Sequence, residues 1–402
     1  MNKPGIVTGV LLISLLVSSC VTSLATPAPG ATATTSATTG TSTSETTTAA
    51  ITSTASVSAT ADVAAAGSTA EDATPRIVAA ANAFLTTLSN SEREAVLFDW
   101  TNTEQKQRWS NLPEGLYERN GLMWGDMSEA QQNAWLGLMQ ATLSTEGYNR
   151  VIAEWQADDV LTTGGGGGAP GGNPPPGNGG PAGGGPGQLL YGTQYYWIAL
   201  IGTPSESDPW QWQWGGHHVT VNATVAGSNV VLTPSFIGCQ PCTYTDANGN
   251  TVEPLGDIRD DAFALVNMLD ATQQATAILG DTFIDLVLGP GEDGRIIQAE
   301  GLPAAEMTAD QQAQFLQLIS HYTGLVNDED AASRLAEVAS TLNETYFAWY
   351  GPTSADSAAY FRVTGPTIVI EYAPQSMGGN AADHIHGIYR DPINEYGVQL
   401  TQ

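Results

Sequence analysis

Apolar residues recur at helical spacing through the first part of the chain. Thr74-Pro75 reads as an N-cap followed by proline at the first helical position, and Ile77, Ala80, Ala81, Phe84, Leu85 and Leu88 then form one stripe. Ser91 with Glu94 has the spacing of a capping box for a second, short helix. From Phe98 to Trp124 the pattern is irregular and aromatic. Ser128 with Gln131 is another capping box, followed by Trp135, Leu138, Met139 and Thr142, and a further helix runs past Gly147 through Val151, Ile152 and Trp155. The period then changes to two. Gln194–Ile201 reads as a buried strand. Trp210, Trp212 and Trp214 alternate into a continuous strand reaching Val225, which would put His217 with Val219, Val221 and Ala223 on one face and His218 with Thr220, Asn222 and Thr224 on the other. A Gly227-Ser228 turn leads to a strand at Val230–Leu232. Helical spacing returns over Asp257–Gly280, with a restart at Asp270 and Gln273. A capping box at Thr308 and Gln311 opens a helix stopped by Gly324, and another helix spans Glu329–Tyr350. Tyr360–Val363 and Thr367–Tyr372 read as strands. Helices, strands, helices, strands: the order predicts an α+β domain with helical segments packed on an antiparallel sheet. The Met307 segment echoes the Met127 segment, which suggests a duplicated helical unit, although so short a match can arise by chance.

Outside this pattern the chain changes character. Residues 1–20 combine a charged start, a short apolar run and small residues before Cys20, as in a bacterial lipoprotein signal whose cysteine is lipidated; an ordinary secretory signal is the alternative. Residues 21–73 are almost all Thr, Ser and Ala and predict a disordered tether. Residues 162–187 are nearly all Gly, Pro and Asn. With helices before it and strands after it, this stretch reads as a flexible insertion in a single domain spanning 74–402. The expected location is the cell surface or the extracytoplasmic face of a bacterial membrane, with the membrane as partner through Cys20. A net charge of −29, with few and scattered basic residues, argues against nucleic acid as a partner.

One set of motifs spans the domain. Trp214-Gly215-Gly216-His217-His218, Thr233-Pro234-Ser235-Phe236-Ile237-Gly238, Gly365-Pro366 with Ile370-Glu371-Tyr372, and His384-Ile385-His386 with Arg390-Asp391-Pro392 and Tyr396-Gly397 belong to it. Gly121-Leu122 and Leu143-Ser144 with Gly147-Tyr148 extend it toward the N-terminus. Together they make the chain resemble the bacterial family called domain of unknown function 3500, from about Arg76 to the C-terminus. The resemblance implies one domain across the Gly/Pro stretch, and it implies no activity. Cys239-Gln240-Pro241-Cys242 departs from the family pattern, so these cysteines are not expected in a shared site.

The candidate chemistry centres on histidine. Of five histidines, two form His217-His218 and two form His384-x-His386. An extended His-x-His puts both rings on one face, within reach of one metal ion, and zinc and copper favour imidazole. His218, His384 and His386, with His217 in reserve, are the expected ligands of zinc or copper in a metal-dependent hydrolase or a copper redox enzyme; hydrogen-bonded packing in a core is the plain alternative. Glu371 and Asp383 are candidates to orient the imidazoles or complete the shell. Arg390 and Asp391 suggest a local ion pair or a turn-former before Pro392, or else an anion-binding or general-base site. In an oxidising compartment Cys239 and Cys242 are expected to form a disulfide. Trp210, Trp212 and Trp214 define the competing reading, a non-catalytic cell-surface protein binding a small molecule or polymer on an aromatic platform. In a third reading the histidines only pack, in a structural envelope protein.

Overall fold

A computed structural model describes residues 72–163, 189–377 and 379–401. The expected signal with Cys20, all but the end of the 21–73 tether, and nearly all of the 162–187 insertion lie outside these residues. The described residues are α+β, with helices on a large mixed sheet.

The chain builds one unit twice. In the first half α1 (Thr74–Thr86) and α2 (Asn90–Val96) lead into β1 (Leu97–Phe98), β2 (Leu122–Met123), α3 (Glu129–Thr142) and α4 (Thr145–Thr163). Then come β3 (Trp197–Ile201), β4 (Trp210–Gly215), β5 (Val219–Ala226), β6 (Asn229–Val231) and β7 (Ser235–Cys239). The second half repeats this as α5 (Gly256–Met268), α6 (Ala271–Ala277), β8 (Ile278–Gly280), β9 (Leu302–Pro303), α7 (Ala309–Thr323) and α8 (Asp328–Ser340). It ends with β10 (Tyr346–Tyr350), β11 (Tyr360–Thr364), β12 (Val369–Pro374) and β13 (Ile385–Arg390). The sheet runs β1-β3-β4-β5-β7-β13-β12-β11-β10-β8, so the halves join where β7 pairs antiparallel with β13.

The repetition reaches individual contacts. Both α3 and α7 begin with a complete capping box, Ser128 with Gln131 and Thr308 with Gln311. Each glutamine also donates to the side chain at the matching position of the preceding short helix, Glu92 or Gln273. Gly121 and Gly301 both take positive φ against a carbonyl, of Ile198 and of Phe347, where a Cβ would collide. Leu143 and Val326, which precede α4 and α8, pair with each other in an isolated bridge.

Several sequence expectations shift. The sheet is mixed, because β1–β3 and β8–β10 pair parallel. Each of these pairs is connected through helices, the crossover that parallel strands require. The capping box of α2 is Ser89 with Glu92, two residues earlier than expected. The helix expected over Glu329–Tyr350 ends at Ser340, and its aromatic tail is β10. The segment Asp257–Gly280 restarts at Asp270 and Gln273 as expected, but its end is β8, a strand.

The two faces of the sheet differ. Helices cover the face carrying Trp210, Trp212 and Trp214, whose side chains are 0% exposed. Trp135 packs edge-on against Trp212, Trp155 against Trp214, and the Trp212 indole N–H donates to the Thr142 hydroxyl at 3.1 Å. The tryptophans are therefore core residues and offer no ligand platform, because large indoles gain most when buried between sheet and helices. The opposite face is polar, with side chains paired to one another and to backbone groups, although the buried Thr220 hydroxyl has no partner. Gln213 donates to Asn222 at 2.8 Å, and the Glu371 carboxylate accepts from the backbone N–H groups of Val287 and Leu288.

Candidate metal site

His217 and His218 do not lie in a strand. The Gly216 N–H donates to the Val219 carbonyl at 3.0 Å, so the expected single strand folds into a β4–β5 hairpin with both histidines at its turn. Their rings lie with centroids 3.6 Å apart, tilted by 39°, and both Nδ1 atoms meet one oxygen of Asp158, at 3.2 and 2.9 Å. Asp158 projects from α4 and is completely buried. Its other oxygen accepts from the Tyr196 hydroxyl at 2.9 Å, and that hydroxyl in turn accepts from the His218 N–H at 3.3 Å.

The other histidine pair reaches this turn across the join between the halves. His384 precedes β13 and His386 lies within it, on the same face. His386 sits opposite Gly238 of β7, where a Cβ would come within 2.5 Å of the Ile385 carbonyl oxygen and 3.1 Å of the His218 carbonyl oxygen. A glycine there lets the histidine turn close onto the strand pair. The Nε2 of His384 then lies 3.2 Å from Nε2 of His218 and 3.1 Å from Nε2 of His386.

The tautomers follow from the outer partners. The Met377 carbonyl can only accept, so His384 carries its proton on Nδ1, 2.6 Å away. Burial alone would raise the Asp158 carboxyl, but His217 and His218 outweigh it and hold the group well below its ordinary range. Ionised Asp158 accepts from Nδ1–H of His218. Burial, reinforced by neighbouring imidazoles, pushes His218 and His384 each down to about 4, and His386 well below its ordinary value. At neutral pH the rings are uncharged, and the Nε2 atoms of His218 and His384 face each other as lone pairs with no proton to share. Nδ1 of His386 faces the Asn111 side-chain amide at 3.2 Å, a group that can donate or, turned over, accept.

Such converging lone pairs suit a cation. With metal–nitrogen bonds of about 2.0–2.1 Å, two ligands at a tetrahedral angle stand roughly 3.4 Å apart, close to the spacing here. His218, His384 and His386 can hold a metal ion, with Asp158 and the Met377 carbonyl orienting two of the rings in the manner of outer-shell partners.

The remaining candidates go elsewhere. His217 bonds Asp158 and lies between His218 and Tyr191, without joining the three converging nitrogens. Asp158, His217 and His218 also form a compact donor group, but hydrogen bonds already satisfy it. Glu371 pins the 287–288 backbone and orients no imidazole. Asp383 accepts from the N–H groups of Cys242 and Thr243, anchoring the loop closed by a Cys239–Cys242 disulfide beside His384. Arg390 ends β13 and does not pair with Asp391, which forms the turn before Pro392 instead, its carboxylate accepting from the Ile393 N–H at 3.1 Å and its carbonyl from the Asn394 N–H at 3.1 Å. Arg390 joins Asp293 and Glu395, whereas Asp391 joins Arg334. His321 binds Asp261.

Sequence reasoning missed Asp158, Tyr196, Asn111 and Arg119. Arg119 donates to the carbonyls of Ser110, Leu112 and Gly216, tying the loop that carries Asn111 to the histidine turn. Asp158 left a signal: it follows Val151 and Trp155 on the buried stripe of α4, where an unpaired acid is costly. Glu154, one turn earlier, is also fully buried, and burial raises its carboxyl well above the ordinary range.

Among known proteins, the family model described as "Protein of unknown function (DUF3500)" matches residues 70–398. No curated protein and no solved structure matches the chain.

Proposed function

We propose that this chain, which belongs to the family of proteins of unknown function DUF3500, is a lipid-anchored extracytoplasmic metalloprotein binding one zinc or copper ion through Nε2 of His218, His384 and His386. The observation that carries this reading is the convergence of three ring nitrogens, 3.1 and 3.2 Å apart along the chain of contacts, in rings that burial keeps uncharged. Zinc and copper both accept imidazole, and three protein ligands leave a position for water or substrate. Bound zinc would supply a nucleophilic hydroxide for hydrolysis, and bound copper a redox centre. The protein's own groups hold the arrangement. Asp158 keeps the proton of His218 on Nδ1, and the Met377 carbonyl does the same for His384. Arg119 holds the Asn111 loop over the histidine turn. Anchoring through Cys20 rests on the sequence of the leader.

Elemental analysis of the protein, purified without a histidine tag, tests the reading beside a His384→Ala/His386→Ala variant. Near-stoichiometric zinc or copper in the wild type, absent from a variant with an unchanged circular dichroism spectrum, supports it. No metal in either protein after incubation with both ions leaves the histidines a packing role.

A further inference from the structure

The protons of the three converging rings can be followed one at a time. A neutral imidazole carries a single proton, on Nδ1 or on Nε2. His218 donates its proton to Asp158 through Nδ1, and His384 donates its own to the Met377 carbonyl, also through Nδ1. Nε2 of His384 is therefore a bare acceptor. It is flanked at 3.2 Å by Nε2 of His218, equally bare, and at 3.1 Å by Nε2 of His386. Of these two neighbours only His386 can supply a proton. Protonated on Nε2, it hydrogen-bonds His384; protonated on Nδ1, it sets a second lone pair against the first. With the proton on Nε2, Nδ1 of His386 is bare and meets Nδ2 of the Asn111 amide, a donor, at 3.2 Å. The metal-free arrangement is then closed on itself, with Asn111 donating to His386 and His386 to His384.

A metal ion needs the opposite. Binding through Nε2 of His386 requires that nitrogen to be bare, so its N–H bond breaks and a new one forms at Nδ1. The ring exchanges the proton with water and neither gains nor loses charge. Nδ1–H then faces the Asn111 NH2 group, donor against donor, until the amide turns over and presents Oδ1. We propose that Asn111 is the positioning residue that sets the tautomer of His386, and that its amide turns over when the site takes up metal. The inference rests on the metal-site reading and adds a second state to the same site. Asn111 joins Asp158 and the Met377 carbonyl as the outer partner of the third ring, and it differs from them in offering a donor as well as an acceptor.

Two observations support the switch. Among the described residues the Asn111 amide bonds His386 alone, so turning it over breaks no other hydrogen bond. Asn222, by contrast, is held at both ends, by Gln213 and by the Pro234 carbonyl. The backbone around Asn111 is meanwhile fixed. Nη2 of the buried Arg119 donates to the carbonyls of Ser110 and Leu112, on either side of it, and to that of Gly216, at 2.8, 2.6 and 2.9 Å. Rotation of the amide is the movement left.

Long-range proton–nitrogen NMR spectra of the full chain, isotope-labelled at histidine, metal-free and at neutral pH, read the tautomers directly. His386→Gln assigns the His386 signals by their loss. The metal-free protein should show His386 protonated on Nε2, and zinc sulfate should move that proton to Nδ1. In Asn111→Asp, whose carboxylate only accepts, the proton should sit on Nδ1 before metal is added. In Asn111→Leu, which neither donates nor accepts, zinc affinity by chelator competition should fall about tenfold, the low end for loss of an outer partner. Asn111→Asp should bind at least as tightly as the wild type. Metal-free wild type with His386 already protonated on Nδ1 overturns the proposal, as does an Asn111→Asp protein with the wild-type tautomer. So does wild-type zinc affinity in an Asn111→Leu protein shown to be folded by circular dichroism. The metal-free spectra judge the tautomer apart from the metal reading; the expected tautomers in a protein that takes up neither zinc nor copper would sink that reading and the switch with it.

Discussion

Replacing Asp158 with Asn separates an orienting role from simple packing. The change keeps the shape of the side chain but removes its charge and one acceptor oxygen. Oδ1 of the new amide can still accept from His218 and His217, while its NH2 group faces the Tyr196 hydroxyl, whose oxygen already accepts from the His218 N–H. The Tyr196 proton then has no acceptor in a fully buried site, a cost of about 1–3 kcal/mol of stability. The metal effect is separate. Outer-shell partners of ligating histidines typically contribute 10- to 100-fold in affinity, or about 1.4–2.7 kcal/mol. The assay is metal affinity by competition with a chelator, alongside urea unfolding of the metal-free protein. Tyr196→Phe serves as control, since it disturbs the same hydrogen bonds without removing the charge. The expected order of affinity is wild type, then Tyr196→Phe, then Asp158→Asn, with His218→Ala not binding. Wild-type affinity in a folded Asp158→Asn protein would refute the orienting role.

Three further outcomes follow from the same structure. His218 and His384 sit at about 4 against an ordinary value of 6.5, so their contribution to the stability of the metal-free protein is present above pH 6.5 and lost as pH falls toward 4. A tenfold change in a protonation equilibrium is worth about 1.4 kcal/mol, so the two rings together contribute a few kcal/mol, and a urea midpoint unchanged between pH 7.5 and 5 would contradict this. Trp212→Ala should cost about 3–5 kcal/mol by leaving a cavity under α3 while metal content stays at the wild-type level; loss of ligand binding without loss of stability would restore the aromatic-platform reading. Thr308→Ala removes the cap of α7 and should lower stability by about 1 kcal/mol in urea unfolding, as Ser128→Ala should for its counterpart α3.

Much of the architecture was legible because it rests on local rules. The capping boxes at Ser128 and Thr308 mark true helix starts, since a side chain and a backbone N–H three residues apart satisfy each other without outside help. The echo between the Met127 and Met307 segments, short in sequence, belongs to a repeated arrangement of helices and strands in the two halves. The halves share little sequence beyond this, since a fold tolerates apolar exchange, whereas caps and positive-φ glycines such as Gly121 and Gly301 have few substitutes. Boundaries failed where two local readings competed. The tail of the helix expected to reach Tyr350 is rich in aromatic residues, and pairing with β11 made it a strand.

By itself, the sequence determined that the chain is α+β, that it carries two histidine pairs and a Cys-x-Pro-Cys loop, and that its basic residues are few. Only the tertiary structure decided what those residues meet. Period-two reasoning chose His218 over His217 from faces of a strand that proved to be a turn, so the convergence of His218 with His384 and His386 depends on the β7–β13 join and on Gly238 beneath it. Asp158, far from both pairs in the chain, became the shared acceptor because α4 packs against that join. The same three-dimensional pairing buried the tryptophans and sent Arg390 and Asp391 to different partners. Alternation, capping and composition act over a few residues. A metal-binding geometry depends on distances between segments more than a hundred residues apart, and those are set by packing alone.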